Sequence, residues 1–149
     1  MAQAGYAASA GGSMQVALVT GASSGIGAAI AEKLAETHRL ALLARSESKL
    51  QDLAKKIEQA RGERPLVLVA DVTDRAAMEA ATKEMNATLG PADVLVHCAG
   101  MWSYVRATAD APAVHDHHAD LVAVHCNGTL NAVEGPCQGC WPRRMDRSC

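Results

Sequence analysis

The stretch "TGASSGIG", residues 20–27, decides how the chain is read. It follows the apolar run "VALVT", residues 16–20, and leads directly into "AAIAEKL", residues 28–34. An apolar run, a glycine-rich turn and an alanine-rich segment in that order read as strand, loop and helix. In that reading Gly21 takes the positive φ of a tight turn. Gly25 lets the backbone approach a pyrophosphate, and Gly27 lets the helix pack against the strand. The first amides of the helix, near Ile26, have no intrahelical partner and sit at its positive end, an arrangement suited to phosphate.

Three more apolar runs follow: "LALLA" from Leu40, "LVLVA" from Leu66 and "DVLVHC" from Asp93. None alternates polar with apolar, and each is too short for a helix. Such runs read as strands buried on both faces, hence as a parallel sheet. Helical patterns separate them. Ile26, Ile30 and Leu34 form one stripe, Leu50, Leu53 and Ile57 a second, and Met78, Ala81, Met85 and Leu89 a third. The third is preceded by "DVTD", where Thr73 or Asp74 can cap the helix, and Gly90-Pro91 stops it. A last helical stretch covers roughly residues 116–132, with Leu121, Val124 and Gly128 on one side. The order β-α-β-α-β-α-β predicts an α/β fold with a doubly wound parallel sheet.

Composition agrees with one globular domain. The chain has 149 residues, 49% apolar and 20% charged, with a net charge of -2. That charge gives no reason to expect nucleic acid or an anionic membrane as partner. Phe is absent and aromatics are 3%, so the core must rest on Leu, Val, Ile, Ala and Met. No apolar run reaches the length of a membrane span, about 18 residues or more. Nothing before Lys33 is basic, which speaks against a secretory or mitochondrial leader. Residues 1–14 are expected to be a disordered tail, with Met14 an alternative start. The five cysteines are odd in number and cluster late, so reduced thiols in the cytoplasm are expected over disulfides. The sequons at Asn86 and Asn127 then carry no meaning.

The glycine spacing is Gly-x3-Gly-x-Gly, different from the commoner Gly-x-Gly-x2-Gly dinucleotide fingerprint. "TGASSGIG" resembles the cofactor motif of the short-chain dehydrogenase/reductase family. "DVTD", residues 71–74, and "HCAG", residues 97–100, fall where that family has its adenine-contacting Asp and its Asn-Asn-Ala-Gly motif. "VHCNGTLNA", residues 124–132, resembles the family's Val-Asn-x-x-Gly segment. The similarity covers about residues 15–133. It implies a Rossmann-like sheet, a nicotinamide dinucleotide as partner, and a small carbonyl or alcohol as substrate of the full-length family, which is usually homo-oligomeric. It implies that Gly21, Ser23, Ser24, Gly25, Ile26 and Gly27 line the pyrophosphate and ribose site. Asp71 and Val72 would meet the adenine, the carboxylate accepting from its amino group, although Asp71 can also be read as a turn residue before a helix. Cys98, Ala99 and Gly100 would pass beneath the adenosine ribose toward the nicotinamide.

The second strand ends in "LLARSESKL". An NAD site wants an acid there for the ribose 2′-hydroxyl, and Ala44 and Arg45 stand in its place. An arginine fork holds a 2′-phosphate through paired, charge-assisted hydrogen bonds, so NADP is expected over NAD.

The family's chemistry uses a Tyr with a Lys four residues later. Here Tyr6 is followed at that distance by Ala10, Tyr104 by Thr108, and no lysine follows Lys83. No catalytic residue is therefore assigned. His97 and Cys98 replace the family's paired Asn, and His125 replaces its helix Asn if Gly128 fixes the register; Asn127 is the alternative. No fifth strand is recognisable after residue 133, so "DVLVHC" is expected at a sheet edge. "HDHH", residues 115–118, lacks a second cluster at metal-ligand spacing and reads as histidines exposed near a helix start. "CQGC", residues 137–140, lacks both the thioredoxin-like context and the second pair of a zinc site. No metal site is assigned.

The expectation is an NADP-dependent short-chain oxidoreductase truncated after about four strands and a following helix, hence catalytically incompetent. Its dinucleotide-binding domain would span residues 15–133, and residues 134–149 would be out-of-frame or mis-spliced translation. The alternatives are a non-catalytic dinucleotide-binding or interaction protein, and a metal or redox module on Cys137 and Cys140.

Overall fold

The computed structural model describes residues 14–101 and 114–135. Tyr6, Tyr104, Cys137 and Cys140 lie outside the described residues, as do the side chains of His115 and His117. The elements run β1 (Gln15–Thr20), α1 (Gly25–Leu34), β2 (His38–Ala44), α2 (Glu47–Arg61), β3 (Leu66–Val69), α3 (Arg75–Thr88), β4 (Val94–His97) and α4 (Val114–Val122). A π-helical turn (Ala123–Asn127) then joins α4 to α5 (Gly128–Glu134).

All strand pairs are parallel, in the order β3-β2-β1-β4. The chain steps outward from β1 to β3, then crosses to the other side of β1 for β4. This reversal opens a crevice beyond the carboxyl ends of the strands, where open α/β sheets bind ligands. Thr20, the last residue of β1, stands opposite both Leu43 of β2 and His97 of β4. The two central strands are the apolar runs that sequence periodicity assigns to double burial: β1 is buried from Val16 and β2 from Leu40. The two outer strands depart from that expectation. Among the described residues β3 and β4 each pair on one side only, Val69 is exposed, and β4 is half-buried throughout.

Two cores form, one on each face. On the first, Ala31 of α1 and Leu50, Leu53, Ala54 and Ile57 of α2 cover Ala17, Val19, Leu40 and Leu42. On the second, Met78, Ala81 and Met85 of α3 and Ala132 of α5 cover Leu18, Ala41, Leu43 and Leu68. Each fully buried Leu or Met contributes about 1.5–3 kcal/mol over leaving it in water. The stripes read for α2 and α3 are these buried faces. The stripe read for α1 holds at Leu34, which packs against the first core, and fails at Ile26, which is 75% exposed; the buried residues of the helix are Gly27 and Ala31. Small residues on that face bring α1 close to β1 and leave Ile26 over the crevice. Asp74, of the two candidate caps, closes α3 by accepting from Ala77 N at 3.0 Å. The helical stretch expected over roughly residues 116–132 is continuous from Val114 to Glu134, with a π-helical turn around His125 inside it.

Candidate functional site

The strand ends surround one cleft of about 650 Å³. Its floor is the loop between β1 and α1. Gly21 sits at φ +68°, and a Cβ there would lie 2.6 Å from the backbone of Cys98 and Ala99. The first loop therefore runs flush against the chain leaving β4, and only glycine allows it. Gly25 sits at φ +56° with open space beside it, so its lack of a side chain serves the cleft more than the fold. A Cβ on Gly27 would lie 2.4 Å from the carbonyl oxygen of Gly21, which fixes the start of α1 against the turn. Ser24, the N-cap of α1, makes no side-chain cap hydrogen bond, and no acidic residue lies in the first turn. The α1 amides thus remain donors facing the cleft, at the positive end of the helix dipole. An anion fits here, and a Cβ at Gly25 would fill its approach.

The opposite wall is the loop after β3. Thr73 donates twice to Asp71 Oδ1, from its backbone N–H at 2.9 Å and from its hydroxyl at 2.8 Å. Arg45 Nη1, at the end of β2, lies 3.6 Å from Asp71 Oδ2. The Thr73 backbone bond, with smaller help from the Thr73 hydroxyl and the Arg45 charge, holds the Asp71 carboxyl below the usual carboxylate range, against partial burial that opposes it. Asp71 is thus an oriented acceptor at the cleft.

The third wall is the chain after β4. Thr20 Oγ1 lies 2.8 Å from His97 Nδ1 and accepts the Ala99 N–H at 3.3 Å, while Cys98 N–H donates to the Thr20 carbonyl at 3.1 Å. These bonds lead Cys98, Ala99 and Gly100 along the cleft. His97 Nε2 is enclosed and has no hydrogen-bond partner among the described residues. Burial, and then the charge of His125, push the His97 imidazole below its ordinary value. His125, in the π-helical turn, donates from Nε2 to the Met101 carbonyl at 3.0 Å, and its ring lies against Gly100.

All twelve residues singled out in the sequence line this one cleft: Gly21, Ser23, Ser24, Gly25, Ile26 and Gly27 on the floor, Arg45, Asp71 and Val72 on one side, Cys98, Ala99 and Gly100 on the other. Lys49, Ser46, Ala70, Met101 and Val124 also line it and were not singled out. Lys49 had a legible signal, since it lies four residues after Arg45, in the first turn of α2. Met101 directly follows Gly100, and Val124 opens the segment "VHCNGTLNA", so each adjoins a stretch already read, but neither was assigned to the cleft.

The family model for short chain dehydrogenase matches residues 15–138. The chain belongs to the short chain dehydrogenase family. It is 41% identical over 126 residues to glycine betaine reductase ATRR of Emericella nidulans, covering 84% of this chain and 10% of that protein. It is 38% identical over 123 residues to a cis-2,3-dihydrobiphenyl-2,3-diol dehydrogenase of Pseudomonas sp. strain KKS102, covering 80% of this chain and 43% of that one. Among solved structures it superposes on L-sorbose reductase from Gluconobacter frateurii complexed with NADPH and L-sorbose, with a TM-score of 0.73 and 30% identity over 88% of this chain and 49% of that one. An actinorhodin polyketide ketoreductase variant with NADPH gives a TM-score of 0.78 and 32% identity, over 87% of this chain and 49% of that one. The chain spans about half or less of the length of these family members. Among the described residues no helix is long and apolar enough to cross a membrane.

Proposed function

We propose that this chain is the dinucleotide-binding part of an oxidoreductase that interconverts a carbonyl and an alcohol by hydride transfer, and that it takes NADP in preference to NAD. The observation that carries the choice of cofactor is the end of β2. Arg45 and Lys49 line the cleft there, and Asp71, already bonded by Thr73, is the one carboxylate among the described lining residues. A 2′-phosphate brings about two negative charges, so it competes well for a guanidinium whose ion pair with Asp71 spans 3.6 Å. A ribose 2′-hydroxyl finds no acid at this position. The open amides of α1 suit the pyrophosphate, and Asp71 with Val72 suits an adenine edge. The NADPH named in the two superposed structures supports the same reading.

No catalytic residue is assigned within this chain. A Tyr-x3-Lys pair is absent from the sequence, so hydride transfer would need an acid/base group from outside these 149 residues. Titration of the purified chain by calorimetry tests the cofactor assignment. NADPH should bind at least about tenfold tighter than NADH, and Arg45→Ala should remove most of that preference, since a paired charge-assisted bond is worth about 1.5–3 kcal/mol. Equal affinities for the two, or a preference untouched in Arg45→Ala, would remove Arg45 from the 2′-phosphate. Turnover of carbonyl substrates with NADPH by homogeneous chain, lost on mutating one of its residues, would overturn the absence of a catalyst.

A further inference from the structure

We propose that Asn131 is a positioning residue for the adenine end of the cleft, acting by clamping the Val72–Thr73 peptide group and, through it, the Asp71 carboxylate. The proposal rests on the dinucleotide reading above and deepens it, because it adds a residue on α5 that touches no part of the ligand.

Asn131 Nδ2 donates to the Val72 carbonyl at 2.9 Å, across 59 residues of sequence. The N–H of that same peptide group belongs to Thr73, and it donates to Asp71 Oδ1 at 2.9 Å. One rigid plane is therefore held at both ends, its carbonyl by α5 and its N–H by the carboxylate of Asp71. A peptide group is planar, so the carbonyl cannot swing without carrying the N–H away from Asp71. Val72 is 6% exposed, so little water stands ready to replace the Asn131 amide. The approach of α5 is itself enforced. A Cβ on Gly128, one turn before Asn131, would lie 2.7 Å from Val72 Cγ2, so glycine there is what lets the amide reach. Among the described residues Asp71 has no comparably tight partner elsewhere. Arg45 is 3.6 Å away and largely exposed, so the two bonds from Thr73 set the direction of the carboxylate.

The consequence is selective. A fixed carboxylate rewards an amino group on the purine and penalises a carbonyl in the same place. A carboxylate freed to rotate distinguishes the two less. Asn131 would therefore govern discrimination between adenine and hypoxanthine at the cleft, without governing the nicotinamide end.

The test compares wild type with Asn131→Ala in two measurements. In the first, affinities are measured for NADPH, for its hypoxanthine analogue, and for reduced nicotinamide mononucleotide, which has no purine. The wild-type preference for adenine over hypoxanthine should fall by about fivefold in the variant, the scale of one ordinary hydrogen bond, while the mononucleotide affinity stays unchanged. In the second, the Asp71 carboxyl is titrated by carbon NMR without any ligand, and its midpoint should rise toward the ordinary carboxylate value in Asn131→Ala. An equal loss for all three ligands with an unmoved Asp71 midpoint means a merely structural link and overturns the proposal. If Asn131→Ala does not fold, Asn131→Asp, which keeps the shape and loses the donor, is put through the same purine comparison, with a preserved preference for adenine counting against the clamp. Failure of wild type to bind any of the nucleotides refutes the dinucleotide reading, and the ligand-free titration then still decides the clamp.

Discussion

Thr20 and His97 face each other across the β1–β4 pair, with Oγ1 and Nδ1 2.8 Å apart, and the other imidazole nitrogen is enclosed without a hydrogen-bond partner among the described residues. Thr20 is fully buried, and its hydroxyl also takes the Ala99 N–H. The imidazole therefore ties the floor of the cleft to its third wall, and it does so best when neutral. Burial, followed by the charge of His125, holds it below the ordinary value of 6.5. A depressed folded value means that the unfolded chain binds the proton first as pH falls. Stability from this group is complete above the ordinary value and is lost as pH drops through that value toward the folded one. Urea unfolding at several pH values should show wild type losing stability below about pH 6.5, with a shallower loss in His97→Asn, which keeps a polar group without a titrating one. Identical pH slopes in the two proteins would show that His97 is not the group responsible.

Gly21 and Gly25 both have positive φ, yet their substitutions should separate folding from binding. An added Cβ at Gly21 meets backbone of Cys98 and Ala99 at 2.6 Å, and backbone cannot step aside as a flexible side chain can. Gly21→Ala should cost more than about 2 kcal/mol, from strain plus the clash. At Gly25 the Cβ meets nothing within 4 Å, so Gly25→Ala should cost only the local strain, about 1 kcal/mol. The same methyl would stand where a pyrophosphate has to approach, so NADPH affinity should fall at least about tenfold in the folded variant. Thermal unfolding and calorimetry on the two variants check both halves. A Gly25→Ala protein that binds NADPH normally would show that the pyrophosphate lies elsewhere.

The central strands and the glycine turn were legible because each rests on a local signal, a continuous apolar run or a spacing, and Arg45 because it stands at a strand end. Asp71, Val72, Cys98, Ala99 and Gly100 came into view only through the family resemblance, and what the structure adds is that they line the same cleft. It misread the burial of Ile26 because alanines and glycines on α1 do not declare which face they occupy. Only the close approach to β1 shows that Gly27 and Ala31 are the inner face. The π-helical turn at His125 was not legible either, since one wider turn inside a helix leaves no periodicity to read. Asn131 was passed over for the same reason: its partner is 59 residues away, and nothing local marks it.

The end of β2 makes a prediction about cofactor choice that can be run in both directions. Ala44 is nearly buried at the rim of the cleft, with Arg45 and Lys49 beside it. Ala44→Asp places an acid where ribose hydroxyls can be accepted and where a 2′-phosphate is repelled. NADPH affinity should fall about tenfold or more, while NADH affinity holds or rises. Lys49→Ala should weaken NADPH by several-fold, the scale of a partly screened charge, and leave NADH alone. Paired titrations with the two cofactors check both. A Lys49→Ala variant weakened equally for NADH and NADPH would assign that lysine to the pyrophosphate instead of the 2′-phosphate.

The last prediction concerns residues 134–149 and decides where the missing acid/base pair is to be sought. α5 continues to Glu134, and the family match reaches residue 138, but the motif resemblance ends at "GTLNA", residues 128–132. Reading the coding strand one frame over, from the third base of the Val133 codon, the genetic code restricts each new codon. Pro136 and Cys137 give a small residue or Pro, then Leu, Met or Val. Gln138 gives Pro or Ser, Gly139 gives Arg or Gly, and Cys140 gives Leu, Met or Val. The Cys140–Trp141 junction forces Leu, Trp141–Pro142 forces Ala, and Met145–Asp146 forces Gly. A permitted product is "ALPGMLA", three more residues, then "GSIV", which resembles the family's helix end followed by the opening of a further strand. Such a strand would pair with the edge that β4 presents among the described residues. The expected result is therefore that sequencing the gene and its transcript through codon 133 and beyond finds this shifted frame open, and that it encodes a Ser and a Tyr-x3-Lys downstream. A protein made from that frame should bind NADPH and turn over carbonyl substrates, while the present chain should not turn them over. A shifted frame that meets an early stop, or that runs on without the Ser and the Tyr-x3-Lys, would make residues 134–149 genuine protein, and the acid/base group would then be sought elsewhere than in that frame.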